Sequence, residues 1–474
     1  MRGISVIQQK TKALEVDKSS SLIPCYVGQA PIWQVDDVNW QNLAGGTFLL
    51  NSTEEMKEKV GFIKPVSGVW PKEASLCCAA VYNLEVMLTA PIAIVVNKQA
   101  ITVGEAESKE VVFAEGKAII EGSNIVLSSV AIEGKEKGTD YKVAYDGSGQ
   151  NVIITASADV VKATVTYSKV NTDSLTMSPD TFEEFDFFEQ EIGVVPTTFG
   201  CPLWESESLT GMDKTVAQKL IEVLQNPLNT HWYGQGYIGL VGETISEATE
   251  DKSNYNNYKA KATWPCVYKG GYIYPLSVAY QAIKEKVDNA AGGIPYVSAS
   301  NELIEMDYLC TASGAKVRLK EEDATELNNV GIATANFSNM QWVTWGVCMS
   351  NYSEANKDRI DADQLNDVAV QMKDYVSNIF QQKYARLLDK PMTKRQANDI
   401  VMNFSGVLTA LVTVGALVSA KVEFLASENS TAQMADGEFT FTITETSTPP
   451  GKAIIGKVIY DPEALSEYYA GGEA

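Results

Sequence analysis

Apolar residues follow two rhythms along this chain, one typical of helices and one typical of strands. Asp213–Leu224 and Leu276–Val287 repeat apolar side chains at helical spacing. Leu22–Gln29, Ile92–Asn97 and Tyr237–Val241 are short, mostly apolar runs of the kind found in strands covered on both faces. Because strands and helices alternate, the pattern predicts a mainly parallel sheet packed between helices. Further elements of the same kind are predicted at Ser52–Val60 and Glu73–Met87 (helices) and at Ile192–Phe199 (a strand).

The pattern changes between residues 101 and 170, where only strand and turn signals occur. Asp146–Gly149 reads DGSG, which indicates a hairpin turn. The region therefore predicts a small β domain inserted into the chain. Its predicted strands are Ala118–Ile120, Asn124–Val130, Tyr141–Tyr145, Asn151–Ala156 and Ala163–Tyr167.

The C-terminal third predicts a pair of helices followed by strands. Asp361–Leu388 is a long amphipathic stretch that Pro391 ends. Thr393 and Gln396 have the spacing of a capping box, which opens a second helix that runs to about Gly415. Two strands are then predicted, at Ala416–Leu425 and around Phe439, Phe441 and Ile443.

Short apolar segments at the two ends of the chain have no obvious partner strand. Ile4 and Val6 alternate with small residues near the start, and Ala453–Tyr460 follows a Pro-Pro-Gly break. Such segments either pair within their own subunit or complete a sheet of a neighbouring subunit. The pattern alone leaves both interpretations open.

Composition narrows the class of protein. A length of 474 residues indicates two to four domains, and a formal charge of −22 disfavours direct binding to nucleic acid or anionic membranes. The seven cysteines include no CxxC pair, which is typical of reduced, buried thiols. Ile400–Ala420 lacks charges but contains many polar residues, so a buried helix followed by a strand is favoured over a membrane span.

The motifs that could carry chemistry are weak, and we expect no cofactor, no metal site and no catalytic residues. Gly234, Gly236 and Gly239 match GxGxxG, but they precede a predicted strand, whereas a dinucleotide site needs them to open a helix. His231 is the single histidine, so any Ser–His–Asp site would have to use it. The acidic residues around Asp361 and in the Phe-rich run Phe182–Glu191 are interpreted as a helix start and a solvated face.

Three stretches, taken in order, resemble the tail sheath proteins of contractile phage tails. Ala324–Trp345 contains a Leu-Asn pair, a Gly-Ile, a strand pattern and then Trp-Gly. Tyr274–Ser277 leads into a helix that is followed by a Gly-Gly turn and Ser298–Asn301. Asp389–Thr393 and the helix after it resemble the C-terminal domain of that family. Many relatives carry an arginine after the Trp-Gly pair, where this chain has Val-Cys.

The resemblance implies a mixed α+β and α/β multidomain fold. It combines an α/β core domain, an inserted small β domain and a C-terminal α/β assembly domain with donated terminal strands. The residues expected to be donated between subunits are Ile4, Val6, Ile455, Val458 and Tyr460. The expected division is 1–21 (N-terminal arm), 22–100 and 171–335 (sheath core), 101–170 (outer β domain), 336–448 (assembly domain facing the tube) and 449–474 (C-terminal arm).

The resemblance further implies a structural subunit and not an enzyme. Family members form stacked hexameric rings or a helix around a tail tube, between a baseplate and a tail terminator. The family occurs in phage tails, R-type bacteriocins and related contractile injection systems, so a virion tail or similar particle assembled in the bacterial cytoplasm is expected. The alternatives are an α/β enzyme with an appended β domain and another virion structural protein.

Overall fold

The computed structural model describes residues 22–157, 160–226 and 232–470. The first elements are β1 (Pro24–Gly28), β2 (Thr47–Leu50), α1 (Thr53–Val60), α2 (Ser75–Ala80) and β3 (Ile92–Val96). A region of strands follows: β4 (Glu107–Val112), β5 (Lys117–Glu121), β6 (Ala131–Ile132), β7 (Tyr141–Tyr145), β8 (Asn151–Ala156) and β9 (Lys162–Tyr167).

Helices and strands then alternate, as the sequence pattern predicts. They are α3 (Phe188–Ile192), β10 (Thr198–Gly200), α4 (Val216–Gln225), β11 (Gln235–Gly239), α5 (Ile245–Lys252), β12 (Ala260–Thr263), β13 (Cys266–Lys269), β14 (Tyr272–Pro275), α6 (Leu276–Ala290), β15 (Tyr308–Cys310), α7 (Glu321–Asn329), β16 (Ile332–Ser338) and β17 (Gln341–Trp345). The last elements are α8 (Asp367–Tyr384), α9 (Lys394–Thr413), β18 (Leu417–Glu423), α10 (Thr431–Ala435), β19 (Thr442–Ser447) and α11 (Glu463–Ala470).

An eight-stranded sheet in the order β17-β16-β12-β11-β10-β1-β3-β2 forms the core. Its inner strands are parallel to their neighbours, and β2 and β17 join the two edges antiparallel. One face buries Ile94 beneath α2 and α6, and the other buries Val27 and Phe199 beneath α3 and α4. Helices on both faces of a mainly parallel sheet confirm the predicted α/β core.

The inserted region consists of two three-stranded sheets, β4-β9-β6 and β5-β8-β7, that share one apolar core. The predicted hairpin turn at Asp146–Gly149 joins β7 to β8 and also fixes the insertion to the rest of the chain. Gly149 has a φ of +69°, and a Cβ there would lie 1.7 Å from the carbonyl oxygen of Phe62. Lys57 donates a 2.8 Å hydrogen bond to the carbonyl oxygen of Asp146. The insertion is therefore held firmly at this turn.

Three predicted strands are wrong in part. In the strand predicted around Phe439, Phe441 and Ile443, only Ile443 lies in a strand, because β19 begins at Thr442. Asn124–Val130 is a loop with a 3-10 turn at Leu127–Ser129, because its apolar side chains enter two different cores and do not alternate across a sheet. Of the strand predicted at Ile192–Phe199, only the last two residues are in a strand, β10. The preceding helix α3 extends to Ile192, and Gly193 ends that helix with a φ of +71°.

The expected boundary between residues 335 and 336 falls inside β16. This strand pairs with β12 on one side and with β17 on the other, so both β16 and β17 belong to the eight-stranded sheet. The long helix expected from Asp361 begins later, at Asp367, because the side chain of Asn366 accepts a hydrogen bond from the backbone N–H of Ala369 and caps it.

Candidate assembly site

The C-terminal part of the chain contains a small sheet with both outer edges open. Strands β18 and β19 pair antiparallel from Leu417–Ser447 to Glu423–Thr442, and in the described chain no third strand joins them. One face packs on α8 and α9 through a cluster that includes Phe404, Leu411 and Val422. A two-stranded sheet with free N–H and C=O groups on both edges can accept further strands.

The segment Ala453–Tyr460, which lies a few residues after β19, is exposed along its whole length. Ala453–Tyr460 pairs with no strand of the described chain, and Ile455, Val458 and Tyr460 are 90%, 96% and 76% exposed. Ile455 and Val458 are an odd number of residues apart, so a regular strand places them on opposite faces unless a bulge, as at Gly456, intervenes. Ile4 and Val6 lie outside the described residues.

Lys452, the residue before this segment, contacts the rest of the chain. Its ammonium lies 2.7 Å from the hydroxyl oxygen of Tyr352, 4.5 Å from the centroid of that ring and 3.5 Å from Glu354 Oε2. Tyr352 is buried and donates a hydrogen bond to Glu354. The segment is thus fixed at residue 452 and exposed after it.

Two buried ion pairs join helix α8 to the core sheet. Lys261 in β12 lies 2.7 Å from Asp367 at the start of α8, and both side chains are at most 2% exposed. Lys259, just before β12, lies 2.6 Å from Asp374, which is about two helical turns further along α8. Burial raises the pKa of Asp374, and Lys259 opposes that rise. These pairs could not be predicted from the sequence, which indicates only that the acidic residues around Asp361 lie at the start of a helix.

Five basic residues cluster where α8 ends and α9 begins, in a chain that is otherwise strongly acidic. Only two acids, Asp389 and Asp399, lie in the same stretch, and all seven side chains are exposed. We call this cluster the basic surface; it comprises Lys383, Arg386, Lys390, Lys394 and Arg395. It is a concentrated positive charge suited to an acidic partner.

The GxGxxG match belongs to the packing around β11. Gly236 and Gly239 lie within β11, and a Cβ at Gly234, just before this strand, would lie 2.6 Å from the ring of Phe199. The next helix, α5, begins at Ile245, so these glycines do not open a helix, as the sequence predicted. His231 lies outside the described residues.

The acids of the Phe-rich run and a buried glutamate are the groups to consider for acid–base chemistry. Phe182, Phe185 and Phe188 are buried against the core; of the acids between them, Glu183 is exposed, whereas Glu184 is partly buried and pairs with Lys98 at 2.7 Å. Burial raises the pKa of Glu205 to about 7, a value suited to acid–base work. Glu205 is only 6% exposed, and its carboxylate accepts weak hydrogen bonds from Gly239 N–H and the Ser277 hydroxyl. No group of three or more potential metal ligands occurs among the described residues.

None of the helices in the described part of the chain is both long and apolar enough to span a bilayer. The stretch Ile400–Ala420 instead forms most of α9 and the start of β18.

Comparison with known proteins gives a similar sequence from a phage and similar solved structures. No protein-family profile matches the chain. Over 277 residues it is 22% identical to the major tail sheath protein of Serratia phage KSP20. The match covers 56% of this chain and 60% of that protein, so the chain spans about three fifths of the length of this curated relative.

In fold, the chain resembles components of two contractile particles over nearly its full length. A chain of the anti-feeding prophage baseplate superposes with a TM-score of 0.58 at 13% identity, covering 97% of this chain and 99% of that chain. A chain of the PVC sheath complex, an extracellular contractile injection system in its contracted state, gives a TM-score of 0.55 at 14% identity and 98% coverage of both.

Proposed function

Because this chain has the fold of the contractile tail sheath proteins and is similar in sequence to one of them, we propose that it is a sheath subunit. It polymerises around a tail tube in an extended, metastable state and contracts to drive the tube through a target cell envelope. One observation carries this proposal: the same chain contains a two-stranded sheet with two open edges and an exposed apolar segment that has no partner.

Strand addition between copies accounts for both features. The segment Ala453–Tyr460 of one copy satisfies the free N–H and C=O groups along one edge of the β18–β19 sheet of another. On the face that packs on α8 and α9, the apolar side chains Val458 and Tyr460 then leave water, and a bulge at Gly456 lets Ile455 do the same. The second open edge is available to the N-terminal arm with Ile4 and Val6, which remains a prediction from the sequence.

The proposed contraction requires no nucleotide, because the difference between two packed states supplies the work. If the contracted polymer buries about 300 Å² more apolar area per subunit, the gain is on the order of 7 kcal/mol as an upper estimate. Summed over many subunits, such a gain makes contraction irreversible without a chemical step. The described chain holds helix α8 to the core by buried ion pairs, so the change is assigned to contacts between copies.

The function is tested by expressing the chain alone and imaging it by negative-stain electron microscopy. We expect hollow tubes or stacked rings with regular striation, because each copy offers both a donor segment and an acceptor sheet. A chain that stays monomeric at high concentration, with and without tube polymers, would contradict the proposal. A nucleotide or metal that raises its melting temperature would then favour the α/β enzyme.

The proposed partner at the inner surface is the tail tube, with a baseplate and a terminator at the two ends of the polymer. The basic surface lies on the C-terminal helix pair, which the family resemblance places against the tube. A cluster of exposed lysines and arginines would attract an acidic tube surface, whereas the acidic remainder of the chain would be repelled by it. The inserted β domain then lies outside, and the particle is a virion tail or a related injection system.

Charge reversal in the basic surface is expected to weaken binding to the tube. The double variant Lys390→Glu/Arg395→Glu should lower co-sedimentation with tube polymers by about tenfold near 0.1 M salt, and the difference should shrink at high salt. The matched control is Lys109→Glu/Lys142→Glu in the inserted domain, where both lysines are exposed. Equal losses in both double variants would place the tube contact elsewhere.

A further inference from the structure

The C-terminal helix α11 has an apolar face that the described chain leaves uncovered. Leu465, Tyr468 and Tyr469 lie at helical spacing and are 50%, 78% and 76% exposed. Glu463 and Glu467 occupy the opposite side of the helix. A helix of eight residues is marginal on its own in water, so its apolar face needs a partner.

An apolar patch of matching character lies at one end of the β18–β19 sheet. Phe424 directly follows β18 and Phe441 directly precedes β19, and their ring centroids are 5.2 Å apart. Phe439 lies 6.5 Å from Phe424. All three rings are half-buried, and we call this patch the aromatic end.

The opposite end of the same sheet is already occupied by the copy's own chain. After Ser447, the backbone N–H of Thr448 donates to the carbonyl oxygen of Ala416 at 3.1 Å, and its hydroxyl donates to the carbonyl oxygen of Gly415 at 2.6 Å. The chain then continues to the Lys452 anchor. A helix delivered by another copy therefore finds open apolar surface at the aromatic end.

We propose that α11 of one copy docks its apolar face on the aromatic end of a second copy. This inference rests on the proposed strand addition. Only Asp461 and Pro462 separate the donated segment from the helix, so Tyr460 has to arrive at the end of the sheet where Phe424 and Phe441 lie. The donated segment consequently runs parallel to β18 and antiparallel to β19. This direction is the same whichever edge of the sheet the segment joins.

Site-specific cross-linking in the assembled protein tests the docking and the strand direction together. Two full-length variants, Tyr469→Cys and Phe439→Cys, are given different tags, mixed, polymerised and treated with a short bis-maleimide. Among the native thiols, six are buried and Cys266 is half-buried, and wild-type chain measures their background. The matched control pairs Tyr469→Cys with Val414→Cys, which is 49% exposed near the opposite end of the sheet.

We expect the 469–439 pair to give at least about fivefold more cross-linked heterodimer than the 469–414 pair, and only under polymerising conditions. Leu465→Ser/Tyr468→Ser should also raise the protein concentration needed for polymerisation about tenfold, whereas Glu467→Gln on the polar face should not. Preferential 469–414 cross-linking, or polymers without either cross-link, would overturn the docking while strand addition stands. Absence of polymers from the wild-type chain would overturn the proposed function itself, and the docking with it.

Discussion

Of the two variants Val458→Pro and Ile459→Pro, at least one will polymerise only at a protein concentration about tenfold higher than the wild type needs. Proline removes a backbone N–H, and in a paired strand alternate residues direct this group toward the acceptor edge. One of two consecutive positions must therefore lose an intersubunit hydrogen bond. The concentration of polymer that sediments, followed by electron microscopy, measures the effect.

The matched control is Val458→Ile, which keeps the backbone N–H and an apolar, β-branched side chain. Because Val458 is 96% exposed in the single chain, none of these changes should alter the melting temperature of the monomer. Normal polymerisation of both proline variants would exclude this segment as a donated strand. Deletion of residues 2–16 tests the N-terminal arm in the same way, since tubes that still assemble and contract normally would exclude donation by Ile4 and Val6.

The variant Lys261→Met will lose about 3–5 kcal/mol of folding free energy. Methionine fills a similar volume but leaves the Asp367 carboxylate buried without the ammonium that lies 2.7 Å away in the wild type. The Ser298 hydroxyl still donates to Asp367 at 2.9 Å, which is too little to neutralise the charge. Urea unfolding below the concentration of polymerisation gives the free energy.

The control for burial is Lys373→Met, because Lys373 pairs with Asp363 at 2.5 Å while both side chains remain well exposed. The variant Lys373→Met should lose at most about 1 kcal/mol of folding free energy. The double variant Lys261→Met/Asp367→Asn should recover most of the stability, since it removes both charges. Equal losses from Lys261→Met and Lys373→Met would mean that the buried pair does not join α8 to the sheet.

Elements specified by local chemistry could be predicted from the sequence. The capping box of Thr393 and Gln396 opens α9 with both reciprocal hydrogen bonds, and the DGSG turn joins β7 to β8. The alternation of strands and helices gave the α/β core. The resemblance to contractile tail sheath proteins is confirmed, by the phage relative in sequence and by the contractile particles in fold.

Features that depend on residues far apart in the chain could not be predicted. Lys261 and Asp367 are 106 positions apart, and no local pattern distinguishes a buried lysine in a strand from an exposed one. The loop at residues 124–130 was mistaken for a strand because its apolar residues serve two separate cores. The anchor at Lys452 was missed for the same reason, since Tyr352 lies 100 positions earlier.

The buried ion pairs also determine how force passes through each subunit. Tension applied to an edge of β18 or β19 passes through the apolar cluster beneath them to α8, and from α8 through Asp367 and Asp374 into β12 and the residue before it. Strand β12 lies inside the eight-stranded sheet, where neighbours on both sides resist shear. In the proposed polymer, we therefore expect the segment beyond Lys452 to stretch more readily than the connection between α8 and β12.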